Sequence, residues 1–342
     1  MRWRVEAAVL LIAGSLAGCA FSLDDGAPRA GATPIEVWAA KGCTIFDGAP
    51  VEGPGRAVQL PEGATIWVFA GATEGGRTDG VVVEQKFKGN AEQIPCMVTA
   101  QALRPALPAT NSNADFATPL DVVAAGAEVF SFFEAWRHDA TQPFGVRVIG
   151  RGVARWDTKL RQFRRLGLLW TSDRPNYGTG AWFDGERVYA YGCANSGPLQ
   201  RDCYAARAPV HAIGNPAAWE YAVGVDSFSA NADAAVPILV GVGDVSVRKG
   251  GDGRMTVSYV PVLGDRVMVR TALGPTGPFS GAHEWFRCEL GPGEFCVGGV
   301  RQVGLDVGAG AVATYVRASF EPMAQGRAQP RLVMFGLPAG LP

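Results

Sequence analysis

Histidine is nearly absent from this chain: His138, His211 and His283 are its whole supply in 342 residues. No Cys-x-x-Cys pair accompanies them, so the ligand spacing of a zinc centre is missing and no metal site is expected. Helical periodicity is scarce too. The best candidate, residues 91–107, is interrupted by Pro95 and Pro105 and followed by Pro108, and proline removes a helical donor. Neither sign of charge dominates, with 31 Lys and Arg against 32 Asp and Glu. That balance excludes the basic field that holds nucleic acid and the acidic tail of a solvating segment. A Gly-x-Ser-x-Gly elbow and a phosphate loop are both lacking. The glycine-rich run Gly71-Ala72-Thr73-Glu74-Gly75-Gly76 follows a strand signal without opening a helix, so it is no nucleotide cradle. No cofactor is expected.

What is present begins with a leader. Arg2 and Arg4 precede an apolar run from Ala7 to Leu16, about ten residues, which suits a secretory signal and is too short to span a bilayer. Leu16-Ala17-Gly18-Cys19 resembles the bacterial lipobox. The resemblance implies cleavage before Cys19 and its acylation, each buried methylene contributing ~0.8 kcal/mol to anchoring. An ordinary cleavable signal with an incidental cysteine is the alternative. Ala20 rather than Asp follows the cysteine, which in Gram-negative lipoproteins directs a chain to the outer rather than the inner membrane. The expected organisation is a signal peptide over 1–18, a lipidated cysteine and flexible tether over 19–36, and a single monomeric domain over 37–342. The tether contains the small, polar run Ser22–Pro34. The chain is thus expected in the bacterial cell envelope, with the membrane as a partner through its N-terminal lipid.

Seven cysteines are an odd number for an exported protein. With Cys19 acylated, Cys43, Cys96, Cys193, Cys203, Cys288 and Cys296 remain, an even set for an oxidising compartment. Close spacing favours Cys193 with Cys203 and Cys288 with Cys296, leaving Cys43 for Cys96. Each short loop would stabilise the fold by ~2–3 kcal/mol.

Glycine (45) and proline (23) punctuate many short apolar runs, which reads as strands joined by turns. Thr65–Phe69, Glu128–Trp136 and Gly145–Trp156 are such runs, and Trp182–Tyr191 is a hairpin about Asp184-Gly185. Arg254–Val260 with Arg266–Thr271 forms a second hairpin, and Val312–Val316 with Arg331–Phe335 a third. A weak repeat links them: Gly152–Trp156, Tyr204–Ala208, Val267–Thr271 and Arg331–Phe335 each read as the closing strand of a unit, with Val81–Glu84 closing a first. The arginines Arg155, Arg207 and Arg270 recur within it; a repeated arginine is structural. A period of roughly 50–65 residues holding several short strands matches β-propeller blades. The predicted fold is all-β, a five-bladed propeller of four-stranded antiparallel blades, with a β-sandwich as the alternative.

Three stretches carry a family resemblance: Gly150–Asp157; Tyr177–Gly180 through Val188–Gly192, Cys203–Pro209 and Trp219–Tyr221; and Gly243–Val247 followed by Val269–Ala272 and Gly274–Ser280. Together they resemble a bacterial family of exported five-bladed propellers, long known as a domain of unknown function and akin to glycoside hydrolases. Some relatives cleave arabinan. The resemblance implies a polysaccharide or cell-envelope glycan as partner, bound at a central hollow where the first strand of every blade begins. Hydrolysis there needs an acid of raised pKa and a second carboxylate, ~5–5.5 Å apart for retention and ~6.5–9.5 Å for inversion.

The candidate catalytic carboxylates are Asp244, Glu134 and Glu74. Asp244 precedes Val245-Ser246-Val247 where relatives carry an acid, although an Asp after Gly also suits a turn. Glu134 sits in the apolar run Phe130–Trp136, which reads as the wet end of an inner strand, with an exposed edge position as the alternative. Glu74, or Asp79, stands in for an aspartate that relatives place where this chain has Ala72. Tyr177 and Trp182 are candidate sugar-stacking rings, with packing in the core between blades as the alternative, and Arg301 is a candidate ligand contact in place of a relative's histidine. The loss at Ala72 tips the expectation toward a propeller that holds a glycan without cutting it; the alternative is an active, endo-arabinanase-like hydrolase.

Overall fold

A computed structural model describes residues 35–36, 51–60, 62–71, 80–86, 104–108, 115–142, 145–250, 252–288, 290–292, 294–303, 310–319 and 329–336. Strand β1 is Ile35–Glu36. Blade 1 follows as β2 (Val51–Gln59), β3 (Ala64–Gly71), β4 (Val81–Lys86) and β5 (Arg104–Pro105). Blade 2 is β6 (Asp115–Ala125), β7 (Glu128–His138), β8 (Val146–Asp157) and β9 (Gln162–Thr171). Blade 3 comprises β10 (Gly180–Phe183), β11 (Arg187–Gly197), β12 (Gln200–Pro209), β13 (Glu220–Gly224), β14 (Ser227–Ser229) and β15 (Leu239–Val242), the last pairing with β12. Blade 4 is β16 (Val245–Lys249), β17 (Met255–Tyr259), β18 (Arg266–Ala272) and β19 (His283–Arg287). Blade 5 is β20 (Glu294–Val303), β21 (Gly310–Ser319) and β22 (Gln329–Gly336), completed by β1 in the order β1-β22-β21-β20.

Among the described residues every strand pairing is antiparallel and lies within its own blade. The first strands close a ring: β2 lies beside β6, β6 beside β10, β10 beside β16, β16 beside β20 and β20 beside β2. This is the five-bladed propeller that the repeat predicts. The repeated segments fall on β4, β8, β12, β18 and β22, the third strand of each blade rather than the closing one. The repeated arginines bond within their blades: Arg155 pairs with Glu128, Arg207 with Glu220, and Arg270 reaches Tyr259 Oη. Within the helix expected over 91–107, Arg104–Pro105 is strand, and 91–103 lies outside the described residues. Ile35 and Glu36, assigned to the tether, instead pair with Met334 and Val333.

Blades hold one another through apolar layers, because a blade strand is buried on both faces and needs a continuous apolar run rather than alternation. Strand β7 demonstrates this. Val129, Phe133 and Ala135 pack toward blade 1 with Ile66 and Val68. Phe130 and Phe132, on the other face, pack toward blade 3 with Trp170, Tyr177 and Trp219. Burying each such ring contributes roughly 1.5–3 kcal/mol. Glu134 shares its face with Phe130 and Phe132 by the period of two, so it is aimed at blade 3. Among the described residues two disulfides are formed, Cys193–Cys203 and Cys288–Cys296; Cys43, Cys96 and the lipidation candidate Cys19 lie outside the described residues.

Candidate functional site

The site lies at the end of the ring where the first strands begin. Blade 4 contributes Asp244, immediately before β16. Gly243 precedes it and must be glycine, because a Cβ there would meet the Val260 carbonyl oxygen at 2.0 Å. One carboxylate oxygen of Asp244, Oδ1, receives Arg201 Nη1 from β12 and Asn176 Nδ2 at 3.1 Å. Blade 2 contributes Glu134, whose Oε1 accepts from Arg151 Nη2 at 2.6 Å. Arg151 in turn donates to the carbonyls of Arg174 and Ser172, so this guanidinium ties β8 to the loop that enters blade 3. Glu134 lies on β7, the second strand of its blade, opposite Thr118 of the first, and not on the inner strand expected for it.

Electrostatics couple the two acids. Burial raises the Glu134 carboxyl above its ordinary value, Arg151 opposes that rise by charge and hydrogen bond, and the charge of Asp244 adds slightly to it. The side chains retain limited access to solvent, 15% for Glu134 and 20% for Asp244. Among the described residues, no further hydrogen bond engages Glu134 Oε2 or Asp244 Oδ2. Each acid therefore keeps one oxygen fixed on an arginine and presents the other.

Beneath these acids the axis is filled by polar groups. Asp121 of β6 is buried and accepts from the backbone N–H groups of Ala181 and Val122. Burial pushes its carboxyl up, against the pull of Arg248, Arg56 and Arg301. Arg56 of β2 is lowered to about 9 by burial and then by the charge of Arg301. Arg301 of β20 is 3% exposed and donates to the carbonyls of Thr179 and Val245, both at 2.7 Å. It stitches three blades together and is withdrawn from the surface role expected of it.

The other sequence candidates separate by position. Tyr177 is 1% exposed, its ring 5.0 Å from Trp170 and 5.8 Å from Tyr221, so it supports the core instead of offering a face to a sugar. Trp182 is partly buried between blades 3 and 4, beside Tyr189 and Lys249. Glu74, Asp79 and Ala72 lie outside the described residues. Of the named carboxylates, Asp244 and Glu134 are brought into one electrostatic neighbourhood. Asp121, Asn176, Arg151 and Arg201 are the residues the sequence reading missed. Asp121 had a signal, an acid directly before Val122-Val123 as Asp244 stands before Val245-Ser246-Val247. Arg151 had one in its flanking glycines, since glycine inside a strand marks close backbone approach.

No family model matches this chain, and no curated protein matches it in sequence. Solved structures match its fold. A Bacteroides ovatus protein provisionally assigned as a hydrolase superposes with a TM-score of 0.60 at 15% identity, covering 90% of this chain and 92% of that one. The GH43_1 enzyme of Xanthomonas citri gives 0.56 at 16% identity, covering 91% and 92%. The α-L-arabinofuranosidase PaAbf62A of Podospora anserina, solved with cellotriose, gives 0.54 at 10% identity, covering 86% and 93%. At such identities the likeness is one of architecture: this chain has the glycoside-hydrolase-like propeller fold.

Proposed function

We propose that this chain is a lipid-anchored protein of the bacterial cell envelope, of the exported propeller kind its motifs resemble, that binds a polysaccharide at the mouth described above without efficient cleavage. The observation that carries the reading is the arginine pairing of both mouth acids. Arg151 on Glu134 and Arg201 on Asp244 fix each carboxylate as a hydrogen-bond acceptor. A free oxygen on each, from two different blades, suits hydroxyl donors spaced along a sugar chain. The buried arginines of the axis leave the floor closed by Arg301 and its backbone partners, which matches a shallow holding surface. Structural neighbours were solved with xylotriose, in the Xanthomonas enzyme, and with cellotriose, in PaAbf62A. Titration of the soluble domain against arabinan, xylan and galactan should give saturable binding to one polymer and no release of reducing ends. Absence of binding to every polymer ends the reading.

One observation favours a second reading, an active hydrolase. The raised Glu134 carboxyl is the kind of group that protonates a leaving oxygen. On that reading reducing ends appear, and Asp244→Asn abolishes them while the thermal midpoint stays nearly unchanged. Anchoring has its own test: Cys19→Ser should move the chain from the membrane to the soluble fraction.

A further inference from the structure

Asn176 and the Cys193–Cys203 disulfide lie behind Asp244. Asn176 is in the loop between β9 and β10. Its Oδ1 accepts from the Cys193 backbone N–H, while its Nδ2 donates to Asp244 Oδ1. The first bond decides the orientation of the amide, since only the oxygen can face an N–H donor. With that end fixed, the NH₂ must point at Asp244. Cys193 is a hub in other ways: its carbonyl accepts from the Asn176 N–H and from Arg201 Nη2. Its sulfur and that of Cys203 lie 3.5 and 3.4 Å from the Gly243 carbonyl oxygen. These sulfurs carry no proton once bonded to each other, so the contact is packing against the peptide that leads into Asp244. Gly192, next to Cys193, admits no Cβ because the Tyr177 backbone nitrogen would lie 2.2 Å away. The loop is thus seated directly on β11.

We infer that Asn176, braced by Cys193, is the positioning residue of the mouth: it holds Asp244 Oδ1 on the protein side and thereby reserves Oδ2 for the ligand. This rests on the glycan-binding reading for what the ligand is, but the positioning itself is a property of the free protein. Arg201, itself tied to the Cys193 carbonyl, gives Asp244 a single hydrogen bond, about which the carboxylate plane could still turn. A second donor anchored to backbone at Cys193 removes that freedom. The chemistry reserved at Oδ2 is acceptance of a hydroxyl hydrogen.

Two measurements test it. In the free protein, the Asn176 side-chain amide protons should exchange with solvent at least ten-fold more slowly than in Asp244→Ala, read by nuclear magnetic resonance; equal rates overturn the positioning. With xylotriose as probe, Asn176→Asp keeps the acceptor for Cys193 but faces Asp244 with an oxygen. It should weaken binding by ten-fold or more at pH 7, and acidification should restore part of the loss, because a protonated carboxyl donates again. Asn176→Ala should weaken binding without that recovery. A loss in Asn176→Asp that acid does not reverse overturns the inference. If the native chain ignores xylotriose and also arabinan, xylan and galactan while its amide is protected, the glycan reading fails and the positioning stands.

Discussion

Glu134 meets two opposed influences, and their balance sets a pH dependence that can be measured. Burial raises its carboxyl and Arg151 pulls it back, with burial the larger. A carboxyl raised in the folded state binds its proton longer than in the unfolded chain. Its contribution to stability is therefore full below the unfolded value of about 4.3 and is lost as pH rises through the folded value. Glu134→Gln stays neutral throughout and can still accept from Arg151. The thermal midpoint of the native chain relative to Glu134→Gln should fall as pH goes from about 4 to about 7. Calorimetry at the two pH values decides it, and a difference that does not change with pH would place the Glu134 carboxyl at its ordinary value. Not every residue role was open to sequence reading. Asp244 was legible because it stands beside a strand signal. Asn176 was not, since its role exists only once the β11–β12 hairpin sets Cys193 opposite Cys203 and above the loop.

At the scale of the element, β7 shows why the fold was more legible than the site. Runs such as Phe130–Phe133 announce strands whatever their place in the blade, and the arginine-bearing segments mark the third strand of blades 2 to 5 by position alone. What the pattern does not encode is rank within the blade. Glu134 reads as an inner-strand residue because an apolar strand buried on both faces looks the same in second place as in first. Residues 104–105 pair with β4 although the preceding segment reads weakly as helix; pairing with an existing edge overrides local propensity. The double burial of β7 also carries an energetic consequence. Phe133 is 1% exposed between blades 1 and 2, and its ring covers Gly152, where a Cβ would meet Phe133 Cζ at 2.6 Å. Phe133→Ala should destabilise by about 3–5 kcal/mol in urea unfolding, through lost transfer energy and the cavity left behind. Leu273→Ala, at a side chain 81% exposed, should change stability by no more than about 0.5 kcal/mol. Equal losses in the two variants would mean that the layers between blades are not what holds the ring.

For the whole molecule, the ring is closed by joining the two ends of the chain in one blade. Blade 5 takes three strands from the C-terminal part and its outermost strand from Ile35–Glu36. A ring of sheets has no covalent link between its last blade and its first except the chain itself, so this pairing is the only sheet contact that reaches across the closure among the described residues. The strand is short, and each hydrogen bond contributes a net ~0.5–1.5 kcal/mol, so its removal should be felt without unfolding the protein. Loss of β1 also leaves β22 as an unpaired edge, which can template pairing with another chain. A chain starting at residue 37 should therefore melt a few degrees lower, about 2–5 °C, than one starting at residue 20. It should also self-associate as its concentration is raised, where the longer chain does not. Scanning calorimetry and light scattering on the two chains read both effects. Identical midpoints together with identical scattering would show that β1 rests on blade 5 without closing it, and that the layers between blades suffice to keep the ring shut.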